Sequence, residues 1–302
     1  MKEELLRLFE KTAKKGTELL GIGFKNLQSG EEVYYNADTA FPTASVYKIF
    51  VLCELYRQQK AGLLHLSDRH TLREEEKSIG SGILEMIDEG ANFSLHDYVM
   101  LMMSISDNTA SDYLYRLAGS ENIHRYLFEP LGMKSSLCNM DCGGLLTSYY
   151  GVTKERYREL MAQDERFHCR NGSYFACREP KNTQSSPRDM VTLLSRLYEG
   201  KLLDEESDKE ILNIMAQCQT NARIPALLPH GVKVAHKTGS IDHLANDCGI
   251  IYTDKGDYVL TLFYNGNLAS EEEYEGTEWS SFGNTLLSRL SADIYRIVTS
   301  RE

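Results

Sequence analysis

Strand-like and helix-like patterns divide this 302-residue chain unevenly, and that layout constrains its fold more than any other feature. Segments 19–27 and 32–35 carry the apolar and aromatic residues of short strands, parted by a turn at Ser29-Gly30. Segments 246–253 and 258–265 read as strands again, joined by Asp254-Lys255-Gly256-Asp257. From 45 to about 220 the pattern is mostly helical, over 49–59, 94–118, 120–128 and 187–198. Pro187 suits a first helical turn, and Gly200 follows the last. Leu5, Leu6, Phe9 and Ala13 share one face of an opening helix over 1–16, with Gly16 as its stop. Phe282, Leu286, Leu290, Ile294 and Ile297 mark a closing amphipathic helix. No internal repeat or low-complexity tract interrupts this order, and the acidic run 271–278 reads as a solvated loop.

At the first boundary between strand and helix stands Ser45-Val46-Tyr47-Lys48, after Phe41-Pro42-Thr43 and ahead of Ile49-Phe50-Val51-Leu52. On a helix, side chains three apart share a face, so an amine comes within reach of a hydroxyl. A serine hydroxyl is inert at neutral pH until a base takes its proton, and a lysine serves once burial or a neighbouring cation leaves it neutral. The spacing alone arises by chance about once in a chain of this length, so the weight falls on two further segments. These are Ser106-Asp107-Asn108 and Lys237-Thr238-Gly239-Ser240. The three together, in this order, are the Ser-x-x-Lys, Ser-Asp-Asn and Lys-Thr-Gly set of class A β-lactamases and penicillin-binding proteins.

The chain resembles the class A β-lactamase family over nearly its whole length. Ser106-Asp107-Asn108-Thr109-Ala110-Ser111, Leu131-Gly132-Met133, Ser186-Pro187-Arg188-Asp189-Met190 and Leu228-Pro229 are similar to family landmarks in family order. The resemblance implies an α+β fold, with a five-stranded antiparallel sheet built from both chain ends, helices on its faces and an all-helical lobe inserted between. On that reading one β-lactamase-like domain covers 1–302, with 1–44 plus 221–302 as the α/β lobe and 45–220 as the mostly helical lobe. The implied roles follow residue by residue. Ser45 attacks a carbonyl, and Lys48 is its general base or a relay to one. Ser106 carries a proton to the departing nitrogen, and Asn108 holds the substrate amide. Lys237 recruits an anionic substrate and favours the neutral form of Lys48. Thr238 and Ser240 bind the substrate carboxylate, the backbone amides of Ser45 and Ser240 form the oxyanion hole, and Gly239 lets its strand approach closely. Arg223 is either a carboxylate-binding arginine or a surface one. Asp107 ties the loop together, Tyr47 packs, and His236 alternates to the far face of its strand.

One departure concerns deacylation. The family carries a water-activating glutamate in an Arg-x-Glu-x-x-Leu-Asn context after the Leu-Gly-Met landmark. Here that region reads Cys138-Asn139-Met140-Asp141-Cys142-Gly143-Gly144. Glu179-Pro180-Lys181-Asn182 mimics the context in part, which makes Glu179 a weak candidate base; Glu155, Glu159 and Glu165 have no better support. Without such a carboxylate an acyl-enzyme forms faster than it is hydrolysed. Cys138, Cys142, Cys169 and Cys177, with His168, fall in the same segment, where free thiols are the expectation over a zinc site or a disulfide. Cys53, Cys218 and Cys248 sit in apolar patterns and read as core.

Lys and Arg number 33 against 44 Asp and Glu, a net charge of −11, which disfavours nucleic acid and anionic membranes as partners. No apolar run is long enough to span a bilayer, and Met1 leads into a charged amphipathic segment, so the expected compartment is the cytoplasm, or outside it if a leader has been removed. The expected partner is a small-molecule substrate, a β-lactam or an acyl-peptide or ester, with no metal or other cofactor. Hydrolysis of β-lactam amides leads. Its rivals are a D-alanyl-D-alanine peptidase or ester hydrolase with slow deacylation, a sensor acylated once without turnover and, more distantly, a glutaminase.

Overall fold

The computed structural model describes residues 1–13, 19–163, 182–241, 244–266 and 279–300. Gly16, Glu165, His168, Cys169, Cys177, Glu179 and the acidic run 271–278 lie outside the described residues. A five-stranded sheet forms from both chain ends, in the spatial order Glu32–Tyr35, Leu19–Asn26, Tyr258–Asn265, Leu244–Ile251, Val234–Ile241. Every pairing in it is antiparallel. Leu19–Asn26 pairs along all eight residues with Tyr258–Asn265, from Leu19 opposite Asn265 to Asn26 opposite Tyr258.

Successive strand residues point to opposite faces, and both faces of this sheet are covered. Tyr258, Leu260, Leu262 and Tyr264 join Leu20, Ile22 and Phe24 in one core with Leu5, Phe9, Leu290 and Ile294 of the two terminal helices, Lys2–Ala13 and Trp279–Thr299. Val259 and Phe263, together with Leu244, Cys248 and Ile250, face the other way into the helical block. There Gly23 lets Pro187–Tyr198 lie close against the sheet, since a Cβ on it would run into Val191 and Pro187 O, and Gly21 leaves room for the Phe41 ring.

The helix Lys48–Lys60 is the axis of the block. Ile49, Phe50, Val51, Leu52 and Leu55 are all fully buried, the pattern of a helix enclosed on every side. The helical pattern over 94–118 resolves into two helices, Leu95–Ser104 and Asn108–Ala118, broken where Ser106 takes a left-handed φ of +61°. Among the described residues of 133–186, which the pattern leaves unassigned, two helices form, Cys142–Tyr150 and Lys154–Ala162. Asp141 and Thr153 cap their first turns by accepting from Gly144 N and Arg156 N. Short strands Phe41–Pro42, Thr183–Ser185 and Leu137–Cys138 make a second, three-stranded sheet.

The five described cysteines are free thiols. Cys53 and Cys248 lie in the helix-side core, as expected. Cys218 is buried as well, at 7 % exposure.

Candidate active site

The nucleophile candidate rests on a turn held from three sides. Asn246 Nδ2 donates to Pro42 O at 2.8 Å and Thr43 O at 3.1 Å. Thr43 N donates to Thr183 O at 3.1 Å. Ala44 then takes a left-handed φ of +43° and Ser45 enters the single 3₁₀ turn Ala44–Tyr47. A left-handed non-glycine residue costs roughly 1–3 kcal/mol and persists only where its surroundings fix it. Gly239 allows the edge strand to approach: a Cβ there would stand 3.0 Å from both Ser45 N and Val46 N, and nearer still to Thr43 O. The strand and the turn therefore meet backbone to backbone beside Ser45.

Lys48 opens the next helix with its side chain fully buried. Its Nζ donates to Ser106 O at 2.9 Å, to Ser106 Oγ at 3.0 Å and to Asn108 Oδ1 at 3.0 Å, which fills the three N–H bonds of an ammonium. Lys237 Nζ, also fully buried, lies 2.9 Å from Thr238 O and 3.1 Å from the same Ser106 Oγ. One hydroxyl thus stands between two amines. Burial first, and the charge of Lys48 second, push Lys237 down to about 7. Two protein oxygens surround the Lys237 amine where three surround that of Lys48. A near-neutral Lys237 can accept the Ser106 proton while Ser106 Oγ accepts from Lys48. Among the described residues no hydrogen bond joins Lys48 Nζ to Ser45 Oγ, and Ser45 remains partly open to a cavity.

Asp107 is a brace. Its carboxylate accepts from Ala110 N at 2.9 Å, capping Asn108–Ala118, and from Ile83 N at 2.6 Å and Leu84 N at 2.9 Å, fixing the loop over the cleft. Asn108 Nδ2 donates to Ile79 O at 2.9 Å. Arg223 is 3 % exposed, which removes the surface reading. It donates to Asn284 Oδ1 at 2.7 Å, Gly239 O at 3.0 Å, Asn246 O at 2.6 Å and the Ser240 hydroxyl, so it bears on the edge strand and on the exposed Ser240 together. His236 turns away from the cleft, as alternation requires, toward Asp247 and Asn221.

A cavity of about 490 Å³ opens over Ser45, with Ser81, Asn108 and Ser240 on its polar side. Leu145, Leu146, Tyr150, Tyr157, Met161 and Ile241 form the apolar wall, most of it from the two helices that the sequence pattern does not announce. Ser81 also escapes the sequence reading; its hydroxyl donates to Ser106 O at 2.9 Å, a contact no local pattern signals. Cys142 lines the cavity with its Sγ 3.2 Å from Tyr47 OH, and burial pushes its thiol up to about 11. Among the described residues Glu85 is the one carboxylate lining the cavity, and Arg158 holds it at 2.7 Å. Glu155 and Glu159 do not line it, and Glu159 pairs with Arg156 at 3.0 Å. No group of three or more His, Cys, Asp or Glu placed to hold a metal occurs among the described residues.

Comparison with known proteins decides the family. A family model described as the beta-lactamase enzyme family matches residues 1–298. The chain belongs to that family. Among relatives, this family member is 23 % identical over 246 residues to the extended-spectrum beta-lactamase PER-1 of Pseudomonas aeruginosa, covering 78 % of this chain and 70 % of that one. A beta-lactamase from Sphaerobacter thermophilus is 25 % identical, with TM-score 0.79 over 99 % of this chain and 98 % of that one. PBP-A shares the fold at TM-score 0.78 and 22 % identity, over 100 % of this chain and 97 % of that one. Family and fold together make this protein a serine β-lactamase-like hydrolase that acts on small molecules. No helix among the described residues is long and apolar enough to cross a membrane.

Proposed function

We propose that the protein opens β-lactam amides by forming an acyl-enzyme on Ser45. The observation that carries this reading is Ser106 Oγ, 3.0 Å from Lys48 Nζ and 3.1 Å from Lys237 Nζ, beside the cavity that contains Ser45. An arriving substrate carboxylate near Lys237 and Ser240 favours the charged form of Lys237. A proton then passes from Lys48 through Ser106 to Lys237, and the freed Lys48 amine takes the proton of Ser45 as its oxygen attacks the carbonyl. The tetrahedral oxyanion is stabilised by the backbone amides of Ser45 and Ser240. As the ring C–N bond breaks, Ser106 returns a proton to the nitrogen. Asn108 holds the substrate amide, Thr238 shares the carboxylate with Ser240, and Arg223 positions Ser240 for it.

A second reading, slow release of the acyl group as in a penicillin-binding peptidase or an esterase-like relative, is favoured by the cavity wall. Its described carboxylate, Glu85, is tied to Arg158, and the thiol of Cys142 stays protonated, so neither activates water at neutral pH. A point variant of PBP-A is itself a solved acyl-enzyme complex with penicillin G. Glu179 remains the weak candidate for the missing base. An exported enzyme suits β-lactam substrates better than a cytoplasmic one, since their targets lie outside the inner membrane.

The test is a chromogenic cephalosporin with the purified protein. Sustained colour supports full hydrolysis, and a burst of one equivalent supports the slow-release reading. Intact-protein mass spectrometry should find a covalent adduct on the wild type and none on Ser45→Ala. An adduct of equal yield on that variant would remove Ser45 from its role.

A further inference from the structure

A buried amide on the sheet holds the turn that carries the nucleophile. Asn246 is 1 % exposed and shares the helix-facing side of its strand with Leu244 and Cys248, where an apolar residue would be the easier fit. Its two Nδ2 protons go to Pro42 O at 2.8 Å and Thr43 O at 3.1 Å, and its Oδ1 accepts from Tyr264 N at 3.3 Å. Donors and acceptor therefore fix one orientation of the amide. Its main chain bears on the other half of the site. Asn246 lies opposite Gly239 in the antiparallel register, one residue before Ser240, and its carbonyl accepts from Arg223 Nη1 at 2.6 Å. The same guanidinium holds Gly239 O and the Ser240 hydroxyl.

The two carbonyls that Asn246 holds belong to the peptides leading into the strained link to Ser45. Thr43 O also accepts from Val46 N at 3.2 Å, which closes the turn over it. With that peptide plane held from both sides, Ala44 is kept at its left-handed φ of +43°, and the next plane, which carries Ser45 N, is fixed in turn. We propose, on the Ser45 acyl-enzyme reading, that Asn246 is a positioning residue for the oxyanion site. Its side chain aims the Ser45 amide, and its backbone pairing keeps the Ser240 amide at a set distance from it. A substrate carbonyl carries little charge, whereas the tetrahedral oxygen carries nearly a full one. A misaimed donor therefore slows acylation and leaves noncovalent binding almost untouched.

Penicillin G at a series of concentrations, with the Ser45 adduct followed by rapid-quench mass spectrometry, separates the acylation rate constant from the dissociation constant of the first complex. Asn246→Ala should lower the rate constant about ten- to a hundredfold and change the dissociation constant less than about threefold. Asn246→Ser, whose single hydroxyl serves one carbonyl at most, carries the test if the alanine variant does not fold, and should show a smaller loss in the same step. Adding Ala44→Gly to either variant should raise its rate constant at least about threefold, because glycine takes a positive φ without strain. A wild type that forms no Ser45 adduct would bring down the acyl-enzyme reading and the role of Asn246 with it. With normal acylation of the wild type, three results would end the positioning role alone: a folded Asn246 variant that keeps its rate constant and loses only adduct amplitude, one that loses binding instead, or one that Ala44→Gly does not rescue.

Discussion

Ser106 concentrates the chemistry in a single oxygen, and the lysines on either side of it set the energetic terms. A buried amine beside a second amine is a liability for folding, and burial depresses Lys237 accordingly. Its folded pKa of about 7 lies below that of a lysine in the unfolded chain. Above 7 the unfolded chain binds the extra proton, so stability from this group rises with pH up to the ordinary lysine range and is lowest below 7. Lys237→Met should therefore abolish acylation yet make the protein more stable. The gain should be larger by about 2 kcal/mol at pH 6 than at pH 9 in paired denaturant titrations. A gap that does not move with pH would mean Lys237 is not depressed. Ser45, Lys48, Ser106 and Lys237 are legible in the sequence because proton transfer dictates the residue types and their order. The depression of Lys237 is not, since it depends on how completely the folded chain buries that amine.

The helix Cys142–Tyr150 shows what a one-dimensional pattern misses. Its first turn is held by Asp112, which accepts from Cys142 N at 2.6 Å, Gly143 N at 3.0 Å and the Ser78 hydroxyl. Gly143-Gly144 weakens helix propensity and the apolar residues have no clean period, so nothing local signals the element. Tyr258–Asn265 and Pro187–Tyr198, by contrast, carry strong local signals and form where the sequence places them. Asp112→Ala leaves two buried amides without an acceptor and should cost about 2–4 kcal/mol, read from the urea midpoint. Desolvation, with Asp141 second, raises the Asp112 carboxyl to about 6. The folded state then holds the proton more tightly than the unfolded chain, so the penalty of the substitution should be greatest below about pH 4, shrink as pH rises toward 6 and level off above it. A loss below about 1 kcal/mol at every pH would show that the Asp141 cap suffices to hold the turn.

Two cores share one sheet, and both are foreshadowed by the strands at the chain ends. Phe9, fully buried with Leu5 among sheet and terminal-helix residues, ties the first helix to strands from the far end of the chain. Phe9→Ala should lower stability by about 3–5 kcal/mol by thermal melting, while the folded fraction keeps its adduct-forming capacity. A loss under about 1 kcal/mol would mean the first helix is peripheral. Family order makes the architecture legible; the wall of the cavity is not, because it is built from contacts across the inserted segment. The pairing of Leu19–Asn26 with Tyr258–Asn265 also bears on biosynthesis. A ribosome must release almost the entire polypeptide before the innermost strand finds its principal neighbour, so a nascent chain halted before Tyr258 has every motif present and no working centre.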